Sequence, residues 1–258
     1  MRKHGIPFLP TFLVIVFLAG CASISPSILQ KPFSDKQLEN ILSRIQEQDD
    51  RVFSFYRMGR LIAKDTLWEQ EAHILIAGTK QPFRIKIELT HPWGQPIAHI
   101  LVLRERLEVL SYAEKKIYVS PFPTQALSRF FPGELDDQLL WAAFRGYPAL
   151  RAYERVASLK AYQISILDDK EKVIETIHFH SESLQPEKVS LPDAGVSLVF
   201  SDFQEEKGIR YAQMVRVSEG RFGKKLTLSK GKVVFNKTIP DQLFVLERPP
   251  GFETVYLD

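Results

Sequence analysis

Residues 82–104 read PFRIKIELTHPWGQPIAHILVLR. Phe83, Ile85, Ile87 and Leu89 alternate with Arg84, Lys86 and Glu88. Side chains of a strand point to opposite faces with period two, so the pattern predicts a strand with one dry and one wet face. Such a strand belongs in an antiparallel sheet packed on one side, since parallel strands are buried on both faces. HPWG, residues 91–94, then turns the chain into a second strand-like run, PIAHILVLR. Pro92 and Gly94 suit the second and fourth positions of a type I turn, which places Trp93 at the tip. An indole joins an apolar body to a polar N–H and favours membrane interfaces. The alternative is that the Trp93 ring folds back on the rim of its own sheet.

The same period runs outward in both directions. FSFYRMGRLIA (53–63), WEQEAHILIAG (68–78), RLEVLSY (106–112) and KKIYVS (115–120) read as strands joined by short, turn-rich links. SLKAYQISILDD (158–169), KVIETIHFH (172–180), GVSLVFSDF (195–203), IRYAQMVRVS (209–218) and KKLTLSKGKVVFN (224–236) follow later. Residues 121–150 interrupt this rhythm with PFPTQALSRFFPG and ELDDQLLWAAFRGYPAL, both helical in pattern. Leu140, Phe144 and Tyr147 share a face in the second, and Gly146 and Pro148 stop it. Before the first strand, SDKQ (34–37) is a capping box, and Leu38, Ile41, Leu42 and Ile45 form one apolar stripe.

The expected fold is mainly β (α+β): a curved antiparallel half-open barrel of about eleven strands, with an N-terminal helix and an inserted helical lid. Residues 34–258 read as one β domain. A sheet of this size must curl, and two short helices give thin cover for its dry face. A cavity is therefore expected beneath them.

The first 33 residues carry a different message. MRKHG is a positive start, and IPFLPTFLVIVFLAG is a short apolar stretch without a stop-transfer pattern, so residues 1–20 read as an export signal. Leu18, Ala19, Gly20 and Cys21 then resemble the lipobox of bacterial lipoproteins. That resemblance implies a signal peptide cut before Cys21 and acylation of that residue. Residues 21–33 would form the acylated cysteine and a tether of about 40 Å when extended. Ala22, in place of Asp, favours the outer membrane. Cys21 is the only cysteine in the sequence, so no intramolecular disulfide is possible.

Composition narrows the function classes. Apolar residues make up 45% and charged residues 25%, which excludes a disordered chain. Past residue 20 the 32 basic groups nearly match the 31 acidic ones, so no basic stripe for nucleic acid is expected. His178 and His180 share a strand face without a third ligand, and Asp136–Asp137 reads as the wet face of a helix. No nucleophile elbow, HExxH or phosphate loop is present. No enzyme, metal or cofactor is expected.

Three ordered stretches carry a further resemblance. LTHPWGQPIAHIL (89–101) looks like the strand, N-P-x-G loop, strand unit of the LolA/LolB-like lipoprotein carrier and receptor superfamily, with His91 in place of the usual Asn. LLWAAFRGYP (139–148) resembles its lid-helix segment, and NKTIPDQLFVLERPPG (236–251) its terminal Ile-Pro…Phe…Pro stretch. The lipobox points to the anchored, LolB-like receptor. The resemblance implies a lipid-anchored protein on the periplasmic face of the bacterial outer membrane. It would take lipoprotein acyl chains from a soluble periplasmic carrier into an apolar cavity and insert them into the bilayer. Pro92, Trp93 and Gly94 would form the membrane-insertion loop. Phe83, Ile85, Ile87, Leu89, Ile100, Val102, Leu140, Trp141 and Phe144 would line the cavity. The alternative is a carrier-like envelope lipoprotein acting as a sensor or assembly scaffold, binding a protein partner without lipid delivery. A filled interior, plugged by Trp141 and Phe144, belongs to that alternative.

Overall fold

The structure is a computed structural model, and it describes residues 31–65, 68–121, 124–128, 130–220, 223–229 and 231–257. The expected export signal and Cys21 lie outside the described residues. Lys31–Asp258 forms one compact unit.

Helix α1 (Asp35–Asp50) starts where the capping box requires, with the Gln37 side chain accepting the Ser34 amide at 2.9 Å. It buries Leu38, Ile41 and Ile45. Strands β1 (Ser54–Lys64), β2 (Glu69–Thr79), β3 (Arg84–Thr90), β4 (Pro96–Leu103), β5 (Arg106–Ser111) and β6 (Lys116–Pro121) form an antiparallel meander. An insert holding the one-turn α2 (Thr124–Leu127) and α3 (Asp137–Arg145) follows. A second antiparallel meander runs through β7 (Arg155–Ala157), β8 (Gln163–Leu167), β9 (Val173–Phe179), β10 (Pro186–Leu191), β11 (Val196–Glu206), β12 (Ile209–Glu219) and β13 (Lys225–Ser229). β13 pairs with the second half of β1, and β14 (Val233–Phe235) with its first half, which joins the two meanders. β15 (Glu253–Tyr256) adds parallel to β6. The result is one open sheet with β15 and β7 at its edges.

The sheet has 15 strands, not about eleven. The run 224–236 divides because the chain shifts between two parts of β1 near Gly231, where an added Cβ would sit 1.5 Å from the Met58 carbonyl oxygen. β10 opens on Pro186, Glu187 and Lys188, and no alternation betrays it. β7 is three residues long, and β15 depends on a parallel pairing with β6 that no local pattern announces. That pairing also breaks the expected purely antiparallel order.

The inner face of the sheet and the insert share one large apolar cluster. A second, smaller cluster lies outside, where Ile239, Phe244 and Leu246 of the C-terminal stretch cover Leu101, Leu110 and Ile117. Arg84, expected on the wet face, is held there by Asp241 at 2.7 Å and lies 4.3 Å over the Phe244 ring.

Helix α3 differs from the expected lid. Leu139 through Arg145 are all buried. A helix buried on every side sits inside a core, so from Leu139 onward α3 is a plug within the hollow of the sheet, and only its start, Asp136, Asp137 and Gln138, is half-exposed. Asp136 caps it, its carboxylate accepting the Leu139 amide at 2.8 Å.

Candidate functional site

Two features of this architecture bear on function: the plugged hollow and the turn carrying Trp93. They are built by the same two strands. β3 pairs with β4 so that Ile85 faces Val102 and Ile87 faces Ile100. The period of two sends all four inward. Phe83, Ile85, Ile87, Ile100, Val102, Leu140, Trp141 and Phe144 are buried in one cluster, and half-buried Leu89 packs against it. The nine residues expected to act together are thus brought together. The far wall was not foreseen: Leu61, Val215, Val217, Leu226 and Leu228 complete the hollow from β1, β12 and β13. Alternation in those runs was the available signal.

The hollow is filled. Between α3 and that far wall a void of about 10 Å³ remains, room for one water molecule at most. The expected ready-made acyl cavity is not present there, because Trp141 and Phe144 occupy the space. The Trp141 ring packs against Phe55, centroids 5.1 Å apart and planes tilted by 60°.

Polar contacts fasten the plug at each end. At the C-terminal end, Arg57 of β1 is almost fully buried. Its guanidinium donates to the carbonyls of Phe144 (3.1 Å), Ala212 (3.0 Å) and Gln213 (2.8 Å). Burial lowers its pKa to about 10. Gly146 ends α3 with φ +85° and accepts the Ala212 amide at 2.7 Å. The Trp141 indole N–H donates to Asp49 at 3.0 Å, and Lys80 pairs with the same carboxylate at 2.8 Å.

At the N-terminal end, Arg151 bridges Asp136 (2.5 Å) and Glu175 (3.0 Å). Glu175 is 1% exposed. Burial pushes its carboxyl up to about 7, against the pull of Arg151. The folded chain therefore holds this proton to a higher pH than the unfolded chain does. The group favours folding fully below pH 4.5, its ordinary value, and loses that advantage as pH rises towards 7. Glu175→Gln removes the ionisation. Its stability relative to wild type should rise by about 2 kcal/mol between pH 5 and pH 8. Urea unfolding at the two pH values checks this, and a constant difference would refute it.

The turn has the expected geometry. The Gly94 amide donates to the His91 carbonyl at 2.8 Å, and Gly94 has φ +94°. Trp93 does not fold back on the rim: it is 69% exposed. Its ring stacks on His91 of its own turn, centroids 4.3 Å apart, and its N–H donates to Gln95 at 3.3 Å. Trp68, 47% exposed, precedes β2 at the same end of the sheet. The register proves this placement, since Lys64 faces Glu69 at the β1–β2 turn and His73 faces Thr90 beside the Trp93 turn. The opposite end is capped by α1, whose Gln48 donates to the Gly208 carbonyl at 3.1 Å and accepts the Arg210 amide at 2.8 Å. Trp68 escaped the sequence reading because it opens a strand-like run.

His178 is half-buried, and burial lowers its pKa. Among the described residues no three His, Cys, Asp or Glu side chains are grouped to hold a metal ion, and no helix is long and apolar enough to cross a membrane.

No family model and no curated protein matches the sequence. Solved structures do match. A DUF1329 family protein from Desulfovibrio piger superposes with TM-score 0.55 at 14% identity, covering 80% of this chain and 95% of that one. A LolA superfamily protein from Nitrosomonas europaea gives 0.52 at 13% identity, over 81% and 97%. A Vibrio parahaemolyticus domain named for outer membrane lipoprotein sorting gives 0.51 at 11%, over 80% and 96%. At these identities the likeness is one of fold, and it agrees with the motifs at residues 89–101, 139–148 and 236–251: this chain has the LolA-like fold.

Proposed function

We propose that this protein is an envelope lipoprotein, acylated at Cys21, that shelters acyl chains on the inner face of its sheet and passes them to a membrane. The observation that carries the reading is the apolar hollow of this LolA-like fold. One inserted helix, fastened by a few polar contacts, covers an apolar hollow in a fold shared with a LolA superfamily protein. Acyl chains would enter by displacing α3. The energies are comparable. Burying Leu139, Leu140, Trp141 and Phe144 contributes about 1.5–3 kcal/mol each, roughly 6–12 in all. An acyl chain of about fourteen carbons contributes roughly 10 kcal/mol at ~0.8 per CH₂. Exchange of one for the other is near balance, as a protein that must both accept and release requires. Delivery to the outer membrane, receipt from a soluble periplasmic carrier and insertion through the Trp93 turn complete this reading.

The test uses an unacylated chain, residues 21–258 with Cys21→Ser, and a palmitoylated peptide. Saturable binding accompanied by loss of amide-exchange protection in residues 137–145 is the expected result. Absence of binding, or binding with α3 still protected, would overturn the exchange. The filled hollow favours a second reading, in which the domain is a sensor or scaffold that binds a protein partner and delivers no lipid. Absence of any acyl binding in the same experiment would support it.

A further inference from the structure

A separate pocket of about 470 Å³ opens at the α1 end of the sheet, between α1, the β9–β10 turn and the β11–β12 turn. That volume lies within the range of about 300–1,000 Å³ usual for small-ligand sites. Its charged walls are Arg44, Arg51 and Arg210 against Glu47 and Glu205. Arg51 pairs with Glu47 at 2.6 Å and Arg210 with Glu205 at 3.0 Å. Both pairs are exposed and water-screened, so they leave the guanidiniums free to exchange partners. Arg44 makes no ion pair among the described residues.

A fourth guanidinium stands behind the wall. Arg145 is 0% exposed. It donates through Nη2 to the carbonyl of Gln48, itself a wall residue, while Nε and Nη1 have no hydrogen-bond partner among the described residues. Its charge lies 5.0 Å over the ring of Tyr147, which also lines the pocket. Asp49, the acid that faces Arg145, is committed to Lys80 and Trp141. A buried cation that shares its counter-ion with Lys80 and leaves two donor nitrogens unpaired is costly, and an anion in the pocket would offset that cost. Burial raises the Tyr147 pKa, while the fields of Arg145, Arg210 and Arg44 all reach its phenol and act against that rise. Arg51 closes the back, and its Nη1 would sit 2.9 Å from any Cβ at Gly208. The remaining wall is apolar, from Ile41, Phe179, Leu184 and Pro186.

We infer that this pocket binds a phosphate group, held by the arginines, with the apolar wall receiving whatever hydrocarbon the phosphate carries. Arg44 and Arg210 supply direct charge-assisted contacts, and Arg145 supplies field from behind. The site lies at the end of the sheet opposite Trp93 and does not depend on acyl exchange at α3.

The test follows thermal unfolding of the full chain in an uncharged detergent at fixed ionic strength. The titrants are inorganic phosphate, micelles doped with dimyristoyl phosphatidic acid, and micelles doped with dimyristoylglycerol. A saturable rise in Tm with phosphate or phosphatidic acid, and none with dimyristoylglycerol, is expected. Arg44→Gln/Arg210→Gln changes only exposed side chains and should raise the half-saturating concentration roughly tenfold or more. Equal response to the two phosphates would identify free phosphate as the ligand. Roughly tenfold tighter response to phosphatidic acid would identify a lipid headgroup. No saturable shift with either phosphate, or one that the double variant leaves unchanged, would overturn the inference.

Discussion

Trp93→Glu is expected to weaken association of the unacylated chain with phospholipid vesicles roughly tenfold or more, while the domain stays folded. The ring stacks on His91 and its N–H bonds to Gln95, both in its own turn. Its removal therefore costs the fold little, because at 69% exposure it buries little apolar area. At a membrane the balance reverses. The indole would pass into the interface, where Trp is favoured, whereas a carboxylate would be repelled by anionic lipid and would resist desolvation. Vesicle co-sedimentation measures the effect, and unfolding of the variant by urea shows whether the fold is intact. Unchanged sedimentation would remove the turn from the proposed delivery step. Trp68, exposed at the same end of the sheet, should carry the residual binding, so Trp68→Glu combined with Trp93→Glu should abolish it.

Gly146→Ala should destabilise the domain by about 3 kcal/mol or more. Three costs meet at this position. The backbone has φ +85°, a region where a side chain costs roughly 1–2 kcal/mol. An added Cβ would lie 2.7 Å from the Ala212 carbonyl oxygen and 2.8 Å from Arg57 Nη1. Both neighbours belong to the joint that holds α3 in the hollow, so relief by movement must break hydrogen bonds from the Arg57 guanidinium or the Ala212 amide. Gly94→Ala is the matched control. Gly94 also has a positive φ, +94°, but nothing lies within 4 Å of its added Cβ. That variant should lose only the backbone term, roughly 1–2 kcal/mol. Chemical denaturation of the two variants checks the comparison, and equal losses would show that the α3 joint yields freely. Because the clash falls where the plug is fastened, Gly146→Ala should also expose residues 137–145 to amide exchange.

Much of this molecule is written in local pattern. Alternation in residues 82–104 placed β3 and β4, and the capping box at Ser34 and the glycine at 146 marked helix ends. The Pro92–Gly94 spacing put Trp93 at a turn tip. Each rests on forces acting within a few residues: side-chain direction, capping and allowed φ. Of the strands that escaped, β7 is only three residues long, β10 opens on Pro186, Glu187 and Lys188 without alternation, and β15 owes its pairing to the distant β6. The state of the hollow was equally out of reach. The sequence shows that Leu140, Trp141 and Phe144 are apolar, but whether such residues line a cavity or fill it depends on how closely α3 approaches β1 and β12. That distance is set by Arg57, Gly146 and Ala212, which lie far apart in the chain and meet only when it folds. The cluster of Arg44, Arg145 and Arg210 shares this origin. Nothing in their spacing marks a site, and only packing of α1, α3 and β12 concentrates their charge around Tyr147.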